Sequence, residues 1–366
     1  MSDSCHPHGT RGALTIYIDC ERMRHPNTGI FEYCRRLAEA VCAQTAPSER
    51  LVAYRPELPP GVLPPSVGVS PHRHLHKFLG VPAEDAAVWH ATYQKTRYLP
   101  RRKVPVVLTV HDLNFLYEDK SPRSVERNKE MVRRNARRAD VVVAISEYVA
   151  RDIRTRLGVD PGKVRVVHNG VDRIDLRERV RPLHVPARPF LFALGPTIPK
   201  KNFATLPALL PGNDMELVIA GFTEEPYLGE IMGAARRFGV EERVHAVGPV
   251  GEGEKAWYYA HCAAFAFPSL AEGFGLPVLE AMLFGKPVFL SRRTSLPEIG
   301  GDLAYYFDDN FDPRTMNELF NSAMAAPPDA AGSCAMVERA RGFSWEKAAR
   351  AYLGIYREIL AKETLS

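Results

Sequence analysis

The chain has 366 residues, and a usual size of ~150 residues per domain predicts two domains with a cleft between them. Its residues are 45% hydrophobic and 25% charged, which excludes a disordered or fibrous chain and is typical of a soluble globular protein. No apolar run of ~18 residues and no signal-peptide pattern occurs, and the six cysteines form no C-x-x-C pair. We therefore expect a cytoplasmic protein with reduced thiols.

The net charge of +5 is unevenly distributed, since residues 1–181 hold 31 Lys and Arg against 21 Asp and Glu, while the remainder hold 17 against 22. A basic surface can meet nucleic acid, anionic lipid or phosphorylated ligands, and a solvated helix face is the alternative. The chain has neither a basic strand interleaved with aromatic residues nor a recognisable reading helix, so we expect no nucleic-acid partner. The basic clusters are Arg22 with Arg24, Arg101-Arg102-Lys103, and Arg133-Arg134 with Arg137-Arg138.

In the first half of the chain, short β-rich runs alternate with amphipathic segments, which predicts βα units around a parallel sheet. The proline-rich stretch 55–74 predicts a long connecting loop. The predicted strands are 13–19, 87–91, 104–110, 140–145 and 164–167, and the predicted helices are 28–44, 122–138 and 146–157.

The stretch 172–189 is charged, contains proline and has no clear period, so it predicts a linker, after which the alternation begins again. An α/β protein with two doubly wound domains follows, divided at residues 1–175 and 176–342. The final stretch 343–360 is amphipathic and predicts a terminal helix. Predicted strands of the second half are 190–195, 215–221, 243–248, 263–268 and 286–291, and predicted helices begin at 202 and span 226–238, 253–261 and 276–284.

Ligands of doubly wound sheets bind beyond the carboxyl ends of the strands, which directs attention to the turn "AEGFGLPVLEAM" between a strand and a helix. Gly273 and Gly275 lack side chains, so the amides of Phe274, Gly275 and Leu276 can approach an anion at the positive end of the helix dipole. The sequence therefore predicts an anion site at this turn.

Glu272 precedes this turn and Glu280 lies one turn inside the helix, so both carboxylates can face one ligand. Carboxylates accept hydrogen bonds from neutral hydroxyls, and together with an anion site they suit a ligand that is part phosphate and part polyol. A nucleotide-sugar has that composition. The alternative is that Glu272 caps the helix and Glu280 is an exposed helix residue.

A diphosphate needs a cationic partner, and Lys200 and Lys201 follow the first strand of the second domain. In the first domain, His111 follows a buried strand and can donate to a sugar hydroxyl or a carbonyl. Gly29 stands just before a helix, which predicts a second amide-lined anion site opposite the first. Candidate acceptor-side residues are Asp19, Glu21 and Asp112.

The chain contains no D-x-D, the metal-chelating pair of one major class of sugar transferases, and no Walker loop, G-x-S-x-G or H-E-x-x-H. The alternating His72, His74 and His76 can in principle hold a metal, but a solvated loop is the simpler interpretation. We expect no metal and no other cofactor at the site.

Together these motifs resemble the retaining glycosyltransferases of the large family-four group, which have the GT-B fold. The resemblance runs over nearly the whole chain, through "NTGIFEYCRRLAEAV", "VHD", "ADVVVAISEYVARDI", "KVRVVHNGVD", "LGPTIPKKN", "RVHAVGPV" and "FPSLAEGFGLPVLEAMLFGKPVFLSRRTSLPEIGG". It implies a first domain that binds the acceptor and a second that binds the nucleotide-sugar. It also implies that a terminal helix, 343–362, packs back on the first domain.

Carried over by position, the resemblance implies that Glu280 binds the ribose hydroxyls and that Glu272 lies at the transferred sugar. Lys201 corresponds to the diphosphate-binding lysine, His111 to the histidine at the donor sugar and Gly29 to the glycine at the phosphates. The family pattern also implies donor contacts at Gly195, Gly248, Gly273, Phe274, Gly275 and Leu276. One departure is Pro196, which stands where many members have arginine, and Lys200 is the candidate replacement for that charge.

The resemblance implies retention at the anomeric carbon without an obligatory metal, with His111, Lys201 and Glu272 as catalytic residues. Mannose from GDP-mannose is the favoured donor, and a glycan or lipid-linked acceptor of cell-surface polysaccharide or lipopolysaccharide synthesis is the favoured acceptor. The basic first domain fits peripheral binding at the inner face of an anionic membrane. The alternatives are a GT-B nucleotide-sugar epimerase and a transferase that uses a UDP-sugar on a small-molecule acceptor.

Overall fold

A computed structural model describes residues 13–26, 28–117, 121–172 and 179–364. Its first sheet has seven parallel strands in the order β3-β2-β1-β4-β5-β6-β7. These strands are β1 (Leu14–Asp19), β2 (Glu49–Arg55), β3 (Gly68–Pro71), β4 (Ala86–Ala91), β5 (Val106–Val110), β6 (Val141–Ala144) and β7 (Val164–Val166). Helices α1 (Gly29–Cys42), α2 (His76–Leu79), α3 (Pro122–Arg138) and α4 (Glu147–Leu157) connect them.

The predicted loop at 55–74 is correct only in part, because this stretch contains the short strand β3, and the preceding strand β2 was not predicted. Within the described part of the chain, β3 pairs with β2 alone, with Val52 opposite Gly68 and Arg55 opposite Pro71. Such a short edge strand tolerates proline, since one side of its backbone makes no ladder hydrogen bonds. The other predicted strands and helices of this half are confirmed.

The second sheet has six parallel strands in the order β10-β9-β8-β11-β12-β13. The predicted helix from residue 202 is instead a 3₁₀ helix, Phe203–Leu209, which contains Pro207. The strands are β8 (Phe190–Leu194), β9 (Glu216–Ala220), β10 (Val244–Gly248), β11 (Ala264–Phe267), β12 (Val288–Ser291) and β13 (Tyr305–Phe307). The helices are α5 (Tyr227–Arg237), α6 (Glu252–His261), α7 (Leu276–Leu283), α8 (Leu296–Gly300), α9 (Pro313–Ala325), α10 (Ala330–Arg341) and α11 (Trp345–Thr364). Two parallel-sheet Rossmann-like domains result, which confirms the predicted fold class.

The terminal helix α11 packs on the first domain and contributes to its core. The hydroxyls of Tyr352 and Tyr33 lie 2.8 Å apart, and the Tyr356 hydroxyl lies 2.7 Å from Nδ1 of His90. These buried polar contacts fix α11 on the sheet of the first domain, although α11 follows the second domain in the chain. The predicted domain boundary, between residues 175 and 176, lies outside the described residues.

In each sheet, the strand order reverses beside the first strand of the domain. β1 lies between β2 and β4, and β8 lies between β9 and β11. The crevice at such a switch point, beyond the carboxyl ends of the strands, is where ligands bind in doubly wound folds. A ligand site is therefore expected at the segments that follow β1, β8 and β11.

Among the described residues, no helix combines the length and apolar character needed to cross a membrane. Five cysteines are described, and all of them are free thiols: Cys20, Cys34, Cys42, Cys262 and Cys334.

Candidate active site

Three glycines lie at the carboxyl ends of neighbouring strands of the second sheet. Gly195 follows β8, Gly221 follows β9 and Gly248 ends β10, with φ angles of 144°, 139° and 75°. A Cβ atom on Gly221 would lie 2.1 Å from the carbonyl oxygen of Gly195, so the turns can lie this close only without side chains. Gly195 and Gly248 were predicted donor residues, whereas Gly221 was not recognised in the sequence.

Lys201 and Glu272 come together at the switch point of this domain, although 71 residues separate them. Lys201 Nζ lies 2.7 Å from Glu272 Oε1 and 4.4 Å from the centre of the Phe267 ring. The two side chains are only 12% and 15% exposed. The alternative that Glu272 caps α7 is wrong, because its carboxylate binds Lys201 and the capping residue is Gly275, with no side-chain cap.

The loop that carries Glu272 is held by two hydroxyl side chains after β12. Thr294 Oγ1 accepts from the amide of Glu272 at 3.0 Å, and Ser295 Oγ donates to the carbonyl oxygen of Phe274 at 2.6 Å. The Phe274 ring is buried beside the Phe343 ring. Residues 274–276 therefore present their main chain, and not the Phe274 side chain, at the start of α7. Thr294 and Ser295 had not been identified from the sequence.

The predicted donor residue Lys200 lies in the same strand-end region. Its carbonyl oxygen accepts from the amide of Leu270, which ties the turn after β8 to the loop after β11 at 2.8 Å. The two loops at the switch point are thus joined by main chain as well as by the ion pair of Lys201 and Glu272.

Glu280 lies on α7 and is only 9% exposed, so it is not an exposed helix residue. Its Oε1 lies 3.0 Å from Lys255 Nζ, and its Oε2 accepts from the Tyr259 hydroxyl at 2.9 Å. Burial alone lowers the pKa of Lys255, but the charges of Glu280 and Glu252 outweigh burial and raise it. Burial and Glu280 raise the pKa of Tyr259, so its hydroxyl stays a donor. Lys255 and Tyr259 were missed, although their i, i+4 spacing on α6 is a recognisable signal.

The two domains meet at Gly273. A Cβ atom there would lie 1.9 Å from the carbonyl oxygen of His111 and 3.0 Å from the Cβ atom of Asp112. Ser146 Oγ, at the start of α4, donates to the carbonyl oxygen of Gly273 at 2.8 Å. Only glycine fits at this contact, which brings the loop of Glu272 beside the end of β5.

The orientation of the His111 ring decides which of its atoms can bind a ligand. Nε2 lies 2.7 Å from the carbonyl oxygen of Thr92, and a carbonyl can only accept, so Nε2 carries the proton. Burial lowers the pKa of His111, against the Thr92 bond and the charge of Asp112, and favours the neutral ring. The remaining nitrogen, Nδ1, is then an acceptor, which corrects the expectation that His111 donates to a sugar hydroxyl.

The predicted acceptor residues of the first domain are engaged within the protein. Asp19 is 2% exposed and accepts from the Glu21 amide and the Thr96 hydroxyl, and burial raises its pKa to about 7. Glu21 is also buried, and the Asp112 carboxylate accepts from the amide of Asn114.

Gly29, the first residue of α1, differs from these residues because nothing lies within 4 Å of an added Cβ. Gly29 is also exposed, so the start of α1 borders open space.

Comparison with known families identifies the class of protein. Residues 28–173 match the family described as Glycosyltransferase Family 4, and residues 177–341 match Glycosyl transferases group 1. With two Rossmann-like domains that meet at the candidate site, the chain belongs to the family-4, group-1 glycosyltransferases of the GT-B fold.

Individual relatives are about 25% identical to this chain over some 70% of its length. O-antigen chain mannosyltransferase B of Escherichia coli is 25% identical over 71% of this chain and 72% of its own length. D-inositol 3-phosphate glycosyltransferase of Corynebacterium glutamicum (strain R) is 25% identical over 72% of this chain and 69% of its own length. Among solved structures, Anabaena HepE in complex with UDP and glucose has a TM-score of 0.70 at 17% identity, covering 94% of this chain and 100% of that chain.

The buried carboxyl group of Asp19 predicts a pH effect on stability. The folded protein holds this proton up to about pH 7, whereas the unfolded chain releases it near the ordinary value of 3.8. The folded state therefore binds more protons between these values, and the contribution of Asp19 to stability falls as the pH rises. Since an asparagine side chain cannot ionise, Asp19→Asn should gain stability relative to the wild type between about pH 5 and about pH 8. Urea unfolding of both proteins at the two pH values measures this, and an unchanged difference would contradict it.

Proposed function

We propose that this glycosyltransferase is a retaining hexosyltransferase whose donor is a nucleotide-diphosphate sugar, with GDP-mannose preferred. The observation that carries the proposal is the pair of Lys201 and Glu272, held at 2.7 Å at the switch point and joined to the first domain through Gly273. The Escherichia coli relative is named a mannosyltransferase, which supports mannose as the sugar.

The nucleotide half of the donor would lie along the second sheet. Lys201 supplies positive charge for the diphosphate, and the main-chain amides of residues 274–276 supply donors at the start of α7. Glu280 would accept from the ribose hydroxyls, since a carboxylate has about four acceptor sites and Lys255 and Tyr259 use two of them. Gly29 would approach the phosphates from the first domain.

The transfer itself breaks the bond between the anomeric carbon and the diphosphate oxygen and forms a bond from that carbon to the acceptor oxygen on the same face. The acceptor proton passes to the leaving diphosphate. Lys201 stabilises the charge on the leaving group, and Glu272 faces the sugar, whose ring carries positive charge as the bond breaks. His111 holds a sugar hydroxyl through Nδ1. In this scheme Lys201 and the amides supply the charge, and no metal is required.

The proposed acceptor is a glycan or a lipid-linked sugar at an anionic membrane, in cell-surface polysaccharide or lipopolysaccharide synthesis. An apolar cap of Leu75, Phe78 and Leu79, 65%, 70% and 59% exposed, protrudes from the first domain. Lys77 and Arg97 lie over the Phe78 ring, at 4.9 Å and 6.0 Å. Exposed apolar side chains with two cations beside them suit an anionic lipid surface, where each charge contributes about 1 kcal/mol. We propose peripheral binding on the cytoplasmic side through this cap.

A small-molecule acceptor is the second candidate, and the Corynebacterium relative, named for D-inositol 3-phosphate, supports it. A nucleotide-sugar epimerase would use the same donor site without an acceptor. Incubation with the donor alone separates these outcomes, because an epimerase changes the sugar and a transferase requires the acceptor.

A panel of nucleotide-sugars tests the donor. At equal concentration, the ligand with the lower Kd stabilises the folded state more, and a ligand at 100 times its Kd contributes about 2.7 kcal/mol. GDP-mannose should therefore raise the unfolding temperature more than UDP-glucose. GDP should also stabilise the wild type more than 2′,3′-dideoxy-GDP, because only GDP offers both ribose hydroxyls to Glu280. In Glu280→Gln this second difference should shrink, and an equal response to the two nucleotides in the wild type would contradict the ribose contact.

Lys201→Ala tests the charge at the leaving group. Loss of one donor to the developing charge should lower turnover by roughly two to three orders of magnitude. The matched control is Lys362→Ala, whose lysine is 71% exposed and pairs with Glu358 within α11, on the first domain. Turnover at saturating donor is measured together with the unfolding temperature, and normal turnover of a folded Lys201→Ala protein would refute the proposed role.

Vesicle sedimentation tests the apolar cap. The wild type should bind anionic vesicles at low salt and bind neutral ones much less, and Phe78→Ala combined with Leu79→Ala should lose most of this binding. Phe222→Ala is the control, since Phe222 is 61% exposed but belongs to the second domain. No binding to anionic vesicles at low salt would count against the membrane.

A further inference from the structure

The second domain contains a cluster of possible metal ligands at the end of its sheet opposite the candidate active site. His184 precedes β8, Glu216 is the first residue of β9, and His245 lies near the start of β10. The five residues of β9 separate this cluster from the strand-end glycines by roughly 16 Å, at about 3.3 Å per residue. A role for the cluster is therefore separate from the sugar-transfer site.

The three side chains already approach the geometry of a single ion. One ligand atom from each of them lies within 4.8 Å of the other two. Nε2 of His245 lies 3.0 Å from Oε2 of Glu216, and the His184 and His245 rings are 4.4 Å apart. Tetrahedral zinc, with bonds of about 2.0–2.2 Å, sets its ligand atoms roughly 3.3–3.6 Å apart, so small side-chain rotations suffice.

The ring nitrogens of the two histidines are incompletely satisfied. Nε2 of His184 is buried and makes no hydrogen bond with the described residues, and the buried Nε2 of His245 lies 3.0 Å from the Glu216 carboxylate without hydrogen-bond geometry. A buried polar atom without a partner is costly, and a bound cation would satisfy both nitrogens at once.

The surrounding groups orient these ligands. Oε1 of Glu216 accepts from the amide of Ala187 at 3.2 Å, which leaves Oε2 directed toward His245. The Tyr258 hydroxyl donates to the carbonyl oxygen of His184 at 2.7 Å and fixes the backbone beside that ring. Supporting hydrogen bonds of this kind are a regular feature of metal sites. The His245 side chain is 27% exposed, so an ion can enter from solvent.

We propose that His184, Glu216 and His245 bind one zinc ion, with water as the fourth ligand. Two imidazoles and a carboxylate form a set that zinc accepts. The ion joins the segment before β8 to β9 and β10, and thereby fixes the start of the second domain against its sheet. The expectation that no metal is needed concerned the donor site and is independent of this site.

Zinc binding to the tag-free 366-residue chain tests the proposal. The protein is first treated with a chelator, so that any metal already bound is removed. One equivalent should bind, and zinc should raise the unfolding temperature of the wild type. His184→Ala and His245→Ala should each weaken binding at least about a hundred-fold, since even supporting residues contribute roughly 10–100-fold. Cobalt in place of zinc should give the visible absorption of a tetrahedral site.

Two further variants keep the test interpretable. Glu216→Gln retains an oxygen acceptor for Ala187 while it removes the anionic ligand, so it should fold and still lose affinity. His74→Ala, in the other histidine-rich stretch, should bind zinc like the wild type. The proposal is overturned if the wild type binds no zinc, or if His74→Ala loses the ion while His184→Ala keeps it.

Discussion

The contact of Gly273 with the main chain of His111 determines how the two domains face each other. Because a Cβ atom at Gly273 would lie 1.9 Å from a carbonyl oxygen, the loop after β11 and the end of β5 touch through backbone alone. The carboxylate of Glu298 strengthens the junction, since it accepts from the amides of Glu147 and Tyr148 at the start of α4. This junction brings the Glu272 loop of the second domain to the His111 loop of the first.

Two buried lysine–glutamate pairs lie in the second domain, one at the loop after β11 and one between α6 and α7. Removing charges from water costs free energy that their attraction only partly recovers, so such pairs contribute little net stability. Their value lies in preorganisation, because each carboxylate is already held in one orientation before a ligand arrives. Lys201 orients Glu272, and Lys255 with Tyr259 orients Glu280. The two glutamates are thus bound by separate lysines, an arrangement that agrees with the proposed donor, which has a sugar at one end and a ribose at the other.

The sequence predicted both sheets and the region of the site because these depend on local signals. Strand and helix periods revealed the βα units, and the strand-end rule pointed to Lys201, Glu272 and His111. The partners of these residues could not be predicted, since Lys255 meets Glu280 and Thr294 meets the Glu272 amide only after distant segments fold together. Similarly, the sequence of β3 has no clear alternation of apolar and polar residues, so it gave no local signal. This edge strand forms through its pairing with β2.

The protonation of His111 limits what the first domain can contribute to chemistry. Nε2 is occupied by the carbonyl oxygen of Thr92, and burial keeps the ring neutral, so it has no second proton to donate. It can hold a hydroxyl hydrogen through Nδ1, but it cannot protonate a leaving oxygen. Asp19 is held within its own domain by Glu21 and Thr96, which removes another candidate acid. In the proposed mechanism, the charge on the departing diphosphate is therefore met chiefly by Lys201 and the amide-bearing start of α7, in the second domain, and no acid of the first domain is needed.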